Sequence, residues 1–408
     1  MNISFIGLGK LGLPLSCCLA QAGNKILGVD KNEYVLDTLS NDQLPFYEQG
    51  LSELFAKCGK NFIGFTGSYK DAILNTNVSI ILVNTQLGDD GYSAELVESA
   101  VKDIAINLKH SNKDYHTIIL SSTVLPGTIK NLIKTVEKIS NRKYKHGFGF
   151  AYVPDFVRLG CVIEDFKKPE FFLVGANHQR DIDTVHKVWK NFHENNPKTF
   201  TLTLEETEVA KVSLNAYIVS KISFCNFLGC LCDDMDNVDV HNITSVIGLD
   251  KRISPYFFKA GTPYGGTCFP RDTAAFIKFA KDRGHNAKHI VFCDSINDLL
   301  YSNIIDKLSK YDNIGILGVS FKPNSPVTIG SPSARIINIL EEQGKKVHLH
   351  DNILETFQNI DTNATTYNSA QDCIKNSEIV ILMHFDNCYK KLDYKNTKII
   401  DPWGVLND

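Results

Sequence analysis

Apolar residues in this chain fall into two alternating kinds of run. Strand-length, nearly unbroken runs occur at Ile3–Ile6, Lys25–Val29, Asn61–Thr66, Val78–Val83, His116–Leu120, Phe148–Val153 and Phe171–Val174. Between them, apolar residues recur at helical spacing, as over Leu13–Ala22, in a stretch ending near Cys58, and in one that Ser68 is placed to cap. Continuous apolar strands alternating with amphipathic helices predict parallel sheets covered on both faces. From Leu204 the pattern turns helical for many residues, opened by Thr203 and Glu206 in capping-box spacing. A second strand–helix alternation begins at Asn313–Gly318, with strands near Lys346–Leu349, Glu378–Met383 and Lys398–Ile400. The expected fold class is α/β, with two parallel-sheet domains joined by a long central helix. The expected boundaries are 1–202, 203–300 and 301–408.

Composition narrows the function. A chain of 408 residues exceeds a single core. Its 43 basic against 46 acidic residues leave a net charge of −3, so no basic field points to nucleic acid or acidic lipid. No apolar run approaches the roughly 18 residues needed to span a bilayer, so no membrane partner is expected. The chain opens on a strand rather than a signal peptide, and a cytoplasmic location is expected. The 11 cysteines show no paired metal-ligand spacing; reduced thiols and no metal are expected.

Two stretches carry chemistry. Gly7-Leu8-Gly9-Lys10-Leu11-Gly12 follows the first strand and opens a helix, and Asp30 ends the next strand about 18 residues past Gly12. This is the G-x-G-x-x-G dinucleotide fingerprint in its strand–turn–helix context, which makes the first domain Rossmann-type. The glycines admit a pyrophosphate to the helix N-terminus, and Asp30 can accept from ribose hydroxyls. A carboxylate there repels a 2′-phosphate, so NAD is expected over NADP. The second stretch is Tyr264-Gly265-Gly266-Thr267-Cys268-Phe269-Pro270-Arg271-Asp272-Thr273. A free cysteine is usually packing. Here two glycines allow a tight turn, Pro270 reads as the first residue of a helix, and Asp272 lies near the first turn. Cys268 is therefore expected just ahead of a helix N-terminus, where the macrodipole favours a thiolate. Lys211 and Asn215 stand four apart on the central helix, sharing a face among apolar neighbours, where a lysine needs a reason.

The cysteine stretch resembles the UDP-glucose/GDP-mannose dehydrogenase family, which carries G-G-x-C-[FIL]-P-[KR]-D; every fixed position matches. The resemblance runs from Ile3 to Asp401 with motifs in family order. It includes Pro45-Phe46-Tyr47-Glu48-Gln49-Gly50-Leu51, Asn84-Thr85-Gln86, Ser122-Thr123-Val124 and Pro154-Asp155-Phe156-Val157-Arg158-Leu159-Gly160. Glu208-x-x-Lys211-x-x-x-Asn215, Asp250-Lys251-Arg252-Ile253 and Phe321-Lys322-Pro323-Asn324 complete it. The resemblance implies four-electron oxidation of a nucleotide sugar's C6 alcohol to a uronate with two NAD, UDP-glucose to UDP-glucuronate being the leading case. It implies Cys268 as the nucleophile that forms a thioester, Lys211 and Asn215 on the substrate oxygen, and Thr123, Asp155 and Asp272 around the hydrolytic water. It also implies Thr85 and Thr123 at the cofactor, and Asp155, Phe156, Arg158, Arg252, Tyr264, Gly265, Phe321 and Lys322 at the nucleotide sugar. The second sheet domain becomes Rossmann-like, and the long helix the core of a homodimer or higher oligomer.

The chain departs from the family at several points. Asp155 and Leu159 replace two glutamates, Gln86 a proline, and Ser254 a glycine after the Arg252 motif. Ile329-Gly330-Ser331 and Asp401-Pro402-Trp403 lack arginines that the family carries. Two alternatives from other classes remain. A two-electron 3-hydroxyacid-type dehydrogenase would share the Rossmann domain and the Lys211/Asn215 helix, but would need neither Cys268 nor the last α/β unit. A catalytically weak nucleotide-sugar-binding protein would explain the lost Glu and Arg positions, but not the joint retention of Cys268, Lys211, Asn215 and Asp272.

Overall fold

The computed structural model describes every residue except Gln86, Asp89, Asp90, Leu159, Asp234, Asn324, Asn407 and Asp408, and only the backbone of Leu87, Gly88 and Gly91. Three residues singled out in the sequence, Gln86, Leu159 and Asn324, thus lie outside the described residues. The chain divides into two compact units, Met1–Ser213 and Leu214–Asp408.

The first unit begins β1 (Asn2–Ile6), α1 (Gly12–Gln21), β2 (Lys25–Val29), α2 (Glu33–Ser40), α3 (Leu51–Cys58), β3 (Phe62–Thr66), α4 (Tyr69–Asn75) and β4 (Val78–Ile81). A small hairpin of β5 (Leu87–Gly88) and β6 (Gly91–Tyr92) follows. Then come α5 (Glu95–Lys109), β7 (Thr117–Leu120), α6 (Thr128–Ser140), β8 (Gly149–Tyr152), α7 (Val162–Lys167), β9 (Phe171–Ala176), α8 (Gln179–Val188) and β10 (Lys198–Leu202). Among the described residues the strands form one sheet in the order β10-β9-β8-β7-β4-β1-β2-β3. Alternate residues of β1 feed opposite cores: Ile3 and Phe5 join one apolar cluster and Ile6 the other. That two-sided burial is why the strands read as unbroken apolar runs.

Two details differ from the sequence reading. Strand β4 ends at Ile81 rather than Val83. The Ser122 hydroxyl takes both polar groups of the Val83 backbone, each at 2.8 Å, so they leave the ladder. The sheet is also not wholly parallel: β9 runs antiparallel to β8, pairing Ala151 with Ala176.

Helix α9 (Leu204–Cys232) starts in the first unit and continues into the second. Its capping box forms as read: Thr203 N–H donates to Glu206 Oε2 at 2.8 Å, and Glu206 N–H to Thr203 Oγ1 at 3.2 Å. Helix α9 is long and apolar enough, by length and composition alone, to cross a membrane, which the search for unbroken apolar runs did not register. The sequence reading counted unbroken apolar runs, whereas this helix interleaves Ser and Asn with its apolar residues.

The second unit continues with α10 (Val240–Gly248), α11 (Phe269–Asp282), α12 (Lys288–Leu308), β11 (Asn313–Leu317), α13 (Pro332–Glu342) and β12 (Lys346–His350). It ends with β13 (Thr365–Thr366), α14 (Ala370–Lys375), β14 (Ile379–Leu382) and β15 (Lys398–Ile400). Its sheet is parallel throughout, in the order β13-β12-β11-β14-β15.

Candidate active site

In the first unit the chain reverses its order of strand addition beside β1, which pairs with β2 on one side and β4 on the other. Ligands of open α/β sheets bind at such a switch point, outside the carboxyl ends of the strands. Gly7 follows β1, Asp30 follows β2, Thr85 lies beyond β4, Thr123 beyond β7 and Asp155 beyond β8, all at that same edge. Gly7 has φ +96°, and a Cβ there would sit 2.3 Å from the Leu82 carbonyl oxygen. A Cβ on Gly12 would lie 1.9 Å from the Gly7 oxygen, whereas one on Gly9 would meet nothing within 4 Å. Gly7 and Gly12 are thus required by the turn itself, and Gly9 faces open space that a side chain would fill. A dinucleotide's pyrophosphate fits that cradle, with Lys10 and Leu11 in the same turn. Asp30 braces the turn by accepting the Leu8 N–H at 2.7 Å, and its other oxygen accepts the Asn32 N–H at 2.9 Å. Each oxygen keeps a lone pair for a ribose hydroxyl.

Asp155 and Lys211 meet within the same unit. The Lys211 ammonium donates to the Asp155 carbonyl and lies 4.5 Å from the centre of the Phe156 ring. Burial drives the Asp155 carboxyl up to about 7, with the Lys211 charge opposing it. Its Oδ2 is buried with no hydrogen-bond partner among the described residues. Arg158 does not join this group: it is exposed, its guanidinium engaged by Asp165 at 3.0 and 2.7 Å.

The Thr123 loop is supported by Glu208, the first residue of the Glu208-x-x-Lys211-x-x-x-Asn215 motif, in a contact that the motif itself did not reveal. Glu208, buried on α9, accepts the N–H groups of Gly127 and Ile129, both at 2.8 Å. These are orphan amides at the start of α6, whose Gly127 cap offers no side chain. A glutamate among apolar neighbours, one turn before Lys211, was the available signal.

In the second unit Cys268 is the N-cap of α11, with its side chain exposed. Pro270 is the second helical residue rather than the first, because Phe269 already has helical geometry. Asp272, 1% exposed, accepts from the Asn215 amide and, at 3.0 Å, from Arg271 Nε. The fold therefore unites Asn215 of α9 with Asp272 of α11. Tyr264 is buried and Gly266 takes φ +80°, against the Phe321 ring. Arg252 is held within its own loop by Asp250 at 3.0 and 2.6 Å. That loop hangs on Lys221, whose ammonium donates to the carbonyls of Ile253 and Ser254 at 3.1 Å and of Tyr256. Lys322 lies 5.6 Å from the Phe321 ring centre, in the loop after β11. Asp351, at the end of β12, accepts the N–H groups of Val319 and Ser320 at 2.8 and 2.9 Å. It repeats the bracing by Asp30, and its place at a strand end was the legible sign.

Known proteins resemble this chain over most of its length. Residues 1–193 match the NAD binding domain of the UDP-glucose/GDP-mannose dehydrogenase family, 205–299 its central domain and 315–408 its UDP binding domain. The UDP-glucose 6-dehydrogenase AglM of Haloferax volcanii is 31% identical over 94% of this chain and 90% of its own. The chain belongs to the UDP-glucose/GDP-mannose dehydrogenase family.

Two more relatives agree. The UDP-glucose 6-dehydrogenase TuaD of Bacillus subtilis is 33% identical over 86% of this chain and 76% of its own. The structure of a UDP-glucose dehydrogenase from Pyrobaculum islandicum superposes with a TM-score of 0.92, at 27% identity, over 99% of this chain and 94% of that one. The family member described here is thus an NAD-dependent oxidoreductase acting on nucleotide sugars, with NAD held by its first domain.

Proposed function

We propose that this chain oxidises the C6 alcohol of UDP-glucose to the uronate through a thioester on Cys268. The observation that carries the reading is the exposed thiol at the start of α11, in a segment whose buried Asp272 is bound by Asn215 and Arg271. UDP-glucose is favoured because relatives at about 30% identity bear that substrate in their names. NAD, when bound, supplies the hydride acceptor for both oxidations. Lys211 and Asn215 stabilise charge developing on the C6 oxygen, a contribution of ~2.7–4 kcal/mol per donor in comparable sites. The Cys268 sulfur bonds to the aldehyde carbon while the carbonyl pair moves to oxygen and takes up a proton. Loss of the C6 hydride together with the hydroxyl proton, which passes to solvent, leaves the thioester. Water then adds, Asp155 accepts its proton, and the carbon–sulfur bond breaks with its electron pair returning to sulfur. Thr123 and Asp272 hold that water in this scheme. Asp155, Phe156, Arg158, Arg252, Tyr264, Gly265, Phe321 and Lys322 are assigned to the nucleotide sugar.

A second reading, oxidation of another nucleotide hexose, is favoured by Asp155 and Leu159 standing where the family carries two glutamates. Incubation with NAD and a panel of nucleotide sugars, following NADH, separates the two. Two NADH per UDP-glucose supports the first; turnover of another sugar alone supports the second. A ratio of one for every sugar overturns the thioester route.

The assembly belongs to the same reading. Tyr217, Phe224 and Leu231 of α9 are 64%, 52% and 52% exposed. Side chains of that size on one helix suit a second copy of the chain in a homodimer, in a cytoplasmic enzyme.

A further inference from the structure

Helix α12 grips the cysteine segment with side chains that no motif contains. Asn297 Oδ1 accepts the Tyr264 N–H at 2.7 Å, and its Nδ2 donates to the Tyr264 carbonyl at 3.1 Å. One turn earlier, Asp294 accepts the Tyr264 hydroxyl. The next residues are held by a second loop, where Gly266 N–H donates to the Gly330 carbonyl at 2.8 Å. A Cβ on Gly265 would lie 2.4 Å from that same oxygen, so the two loops touch backbone to backbone. The thiol two residues on is exposed, with a contact to Thr267 Oγ1 at 3.7 Å. Beside the clamp lies a cavity of about 240 Å³ bordered by Tyr264, Gly265, Pro270 and Asn297. Tyr264 also packs against Val219 and Cys293, and the hydrogen bonds of α12 fix the position of its backbone beside the cavity.

We infer that Asn297 is a positioning residue that aims the Cys268 thiol, with Asp294 supporting it through the Tyr264 hydroxyl. This rests on the reading of Cys268 as the nucleophile. The clamp needs an acceptor and a donor in one planar group of fixed reach, which asparagine supplies. An ionised aspartate of the same shape would present a second acceptor to the Tyr264 carbonyl. Release of the loop displaces the sulfur while leaving the NAD turn and the Lys211/Asn215 helix in place. The first oxidation needs only the latter two; the second needs the thiol at C6. A misplacement of ~1 Å costs on the order of a hundredfold in rate.

The test compares the full-length protein with Asn297→Asp, Asn297→Ala and the milder Tyr264→Phe. Amide hydrogen exchange reports residues 264–268, and turnover of UDP-glucose with NAD is followed with hydroxylamine present to trap free aldehyde. The expected result is faster exchange confined to that segment and an unchanged KM for NAD. NADH per sugar should fall from two toward one, with trapped aldehyde appearing. Tyr264→Phe should move the same way by less. Faster exchange with the ratio still at two overturns the proposal, as does unchanged exchange. An equal loss of NAD binding, first oxidation and second oxidation also overturns it, because the role is then structural alone. Failure of the thioester reading is distinct, since it appears in the unmodified protein as a ratio of one before any variant is compared.

Discussion

Asp155 shows how one residue's surroundings choose its chemistry. A buried carboxyl with Lys211 close by titrates near about 7, so both its forms exist at neutral pH. If it accepts the proton from the hydrolytic water, it must be ionised. Turnover should then rise with pH through about 7, and Asp155→Asn should lower the rate and abolish that inflection. A pH–rate profile of both proteins checks this; an unchanged inflection in the variant would assign it to another group. Cys268→Ala should stop uronate formation while leaving NAD binding intact, read by product analysis and by calorimetry. Asp30→Ala should weaken NAD binding by roughly 1–3 kcal/mol, the usual cost of unpaired hydrogen-bonding groups, and narrow the preference over NADP. Equal use of both cofactors by the unmodified protein would remove the role assigned to that carboxylate.

At the scale of elements, loops that carry chemistry are held by side chains from helices distant in sequence. Glu208 closes the start of α6, so Glu208→Ala leaves the Gly127 and Ile129 amides without their carboxylate. The expected loss is ~1–3 kcal/mol in urea denaturation, with a slower reaction through the Thr123 loop. Ser254 takes φ +70° where the family has glycine, and Lys221 holds its carbonyl. Left-handed geometry strains a residue with a Cβ, so Ser254→Gly should raise stability by up to about 1 kcal/mol. The middle of the large sheet hides a polar seam, with Ser4 Oγ 2.7 Å from Ser79 Oγ and the latter 2.8 Å from His116 Nε2. Burial holds His116 down at about 3, against 6.5 for the ordinary imidazole. A neutral buried histidine contributes stability above the unfolded value, and that stability is lost as pH falls from 6.5 toward about 3. Denaturation midpoints at pH 7 and pH 5 should differ, and His116→Gln should shrink the difference.

At the scale of the whole molecule, the apolar face of α9 is the feature that a single chain leaves unexplained. In the proposed homodimer, a polar substitution at its centre, Phe224→Asp, should shift the protein from dimer to monomer in sedimentation velocity. A monomeric unmodified protein would remove the dimer reading and leave the exposed aromatic side chains to another partner.

Much of this molecule was legible in the order of its residues. Strand-length apolar runs, the glycine turn before Asp30, the Thr203/Glu206 box and the start of α11 at Cys268 all depend on neighbours a few residues apart. Local sterics, capping and periodicity operate over that range, so these features followed from the chain alone. The NAD turn and the cysteine segment were legible for the same reason. Other features join residues far apart in the chain: Glu208 with Gly127, Asn297 with Tyr264, Asp351 with Ser320, and the antiparallel turn of β9 against β8. No periodicity announces such a pairing, because it arises only when helices and strands pack and each buried polar group must find a partner. The tertiary structure also pushed the Asp155 carboxyl up, as it did that of Asp181, since desolvation is a property of what surrounds a carboxyl rather than of its place in the sequence.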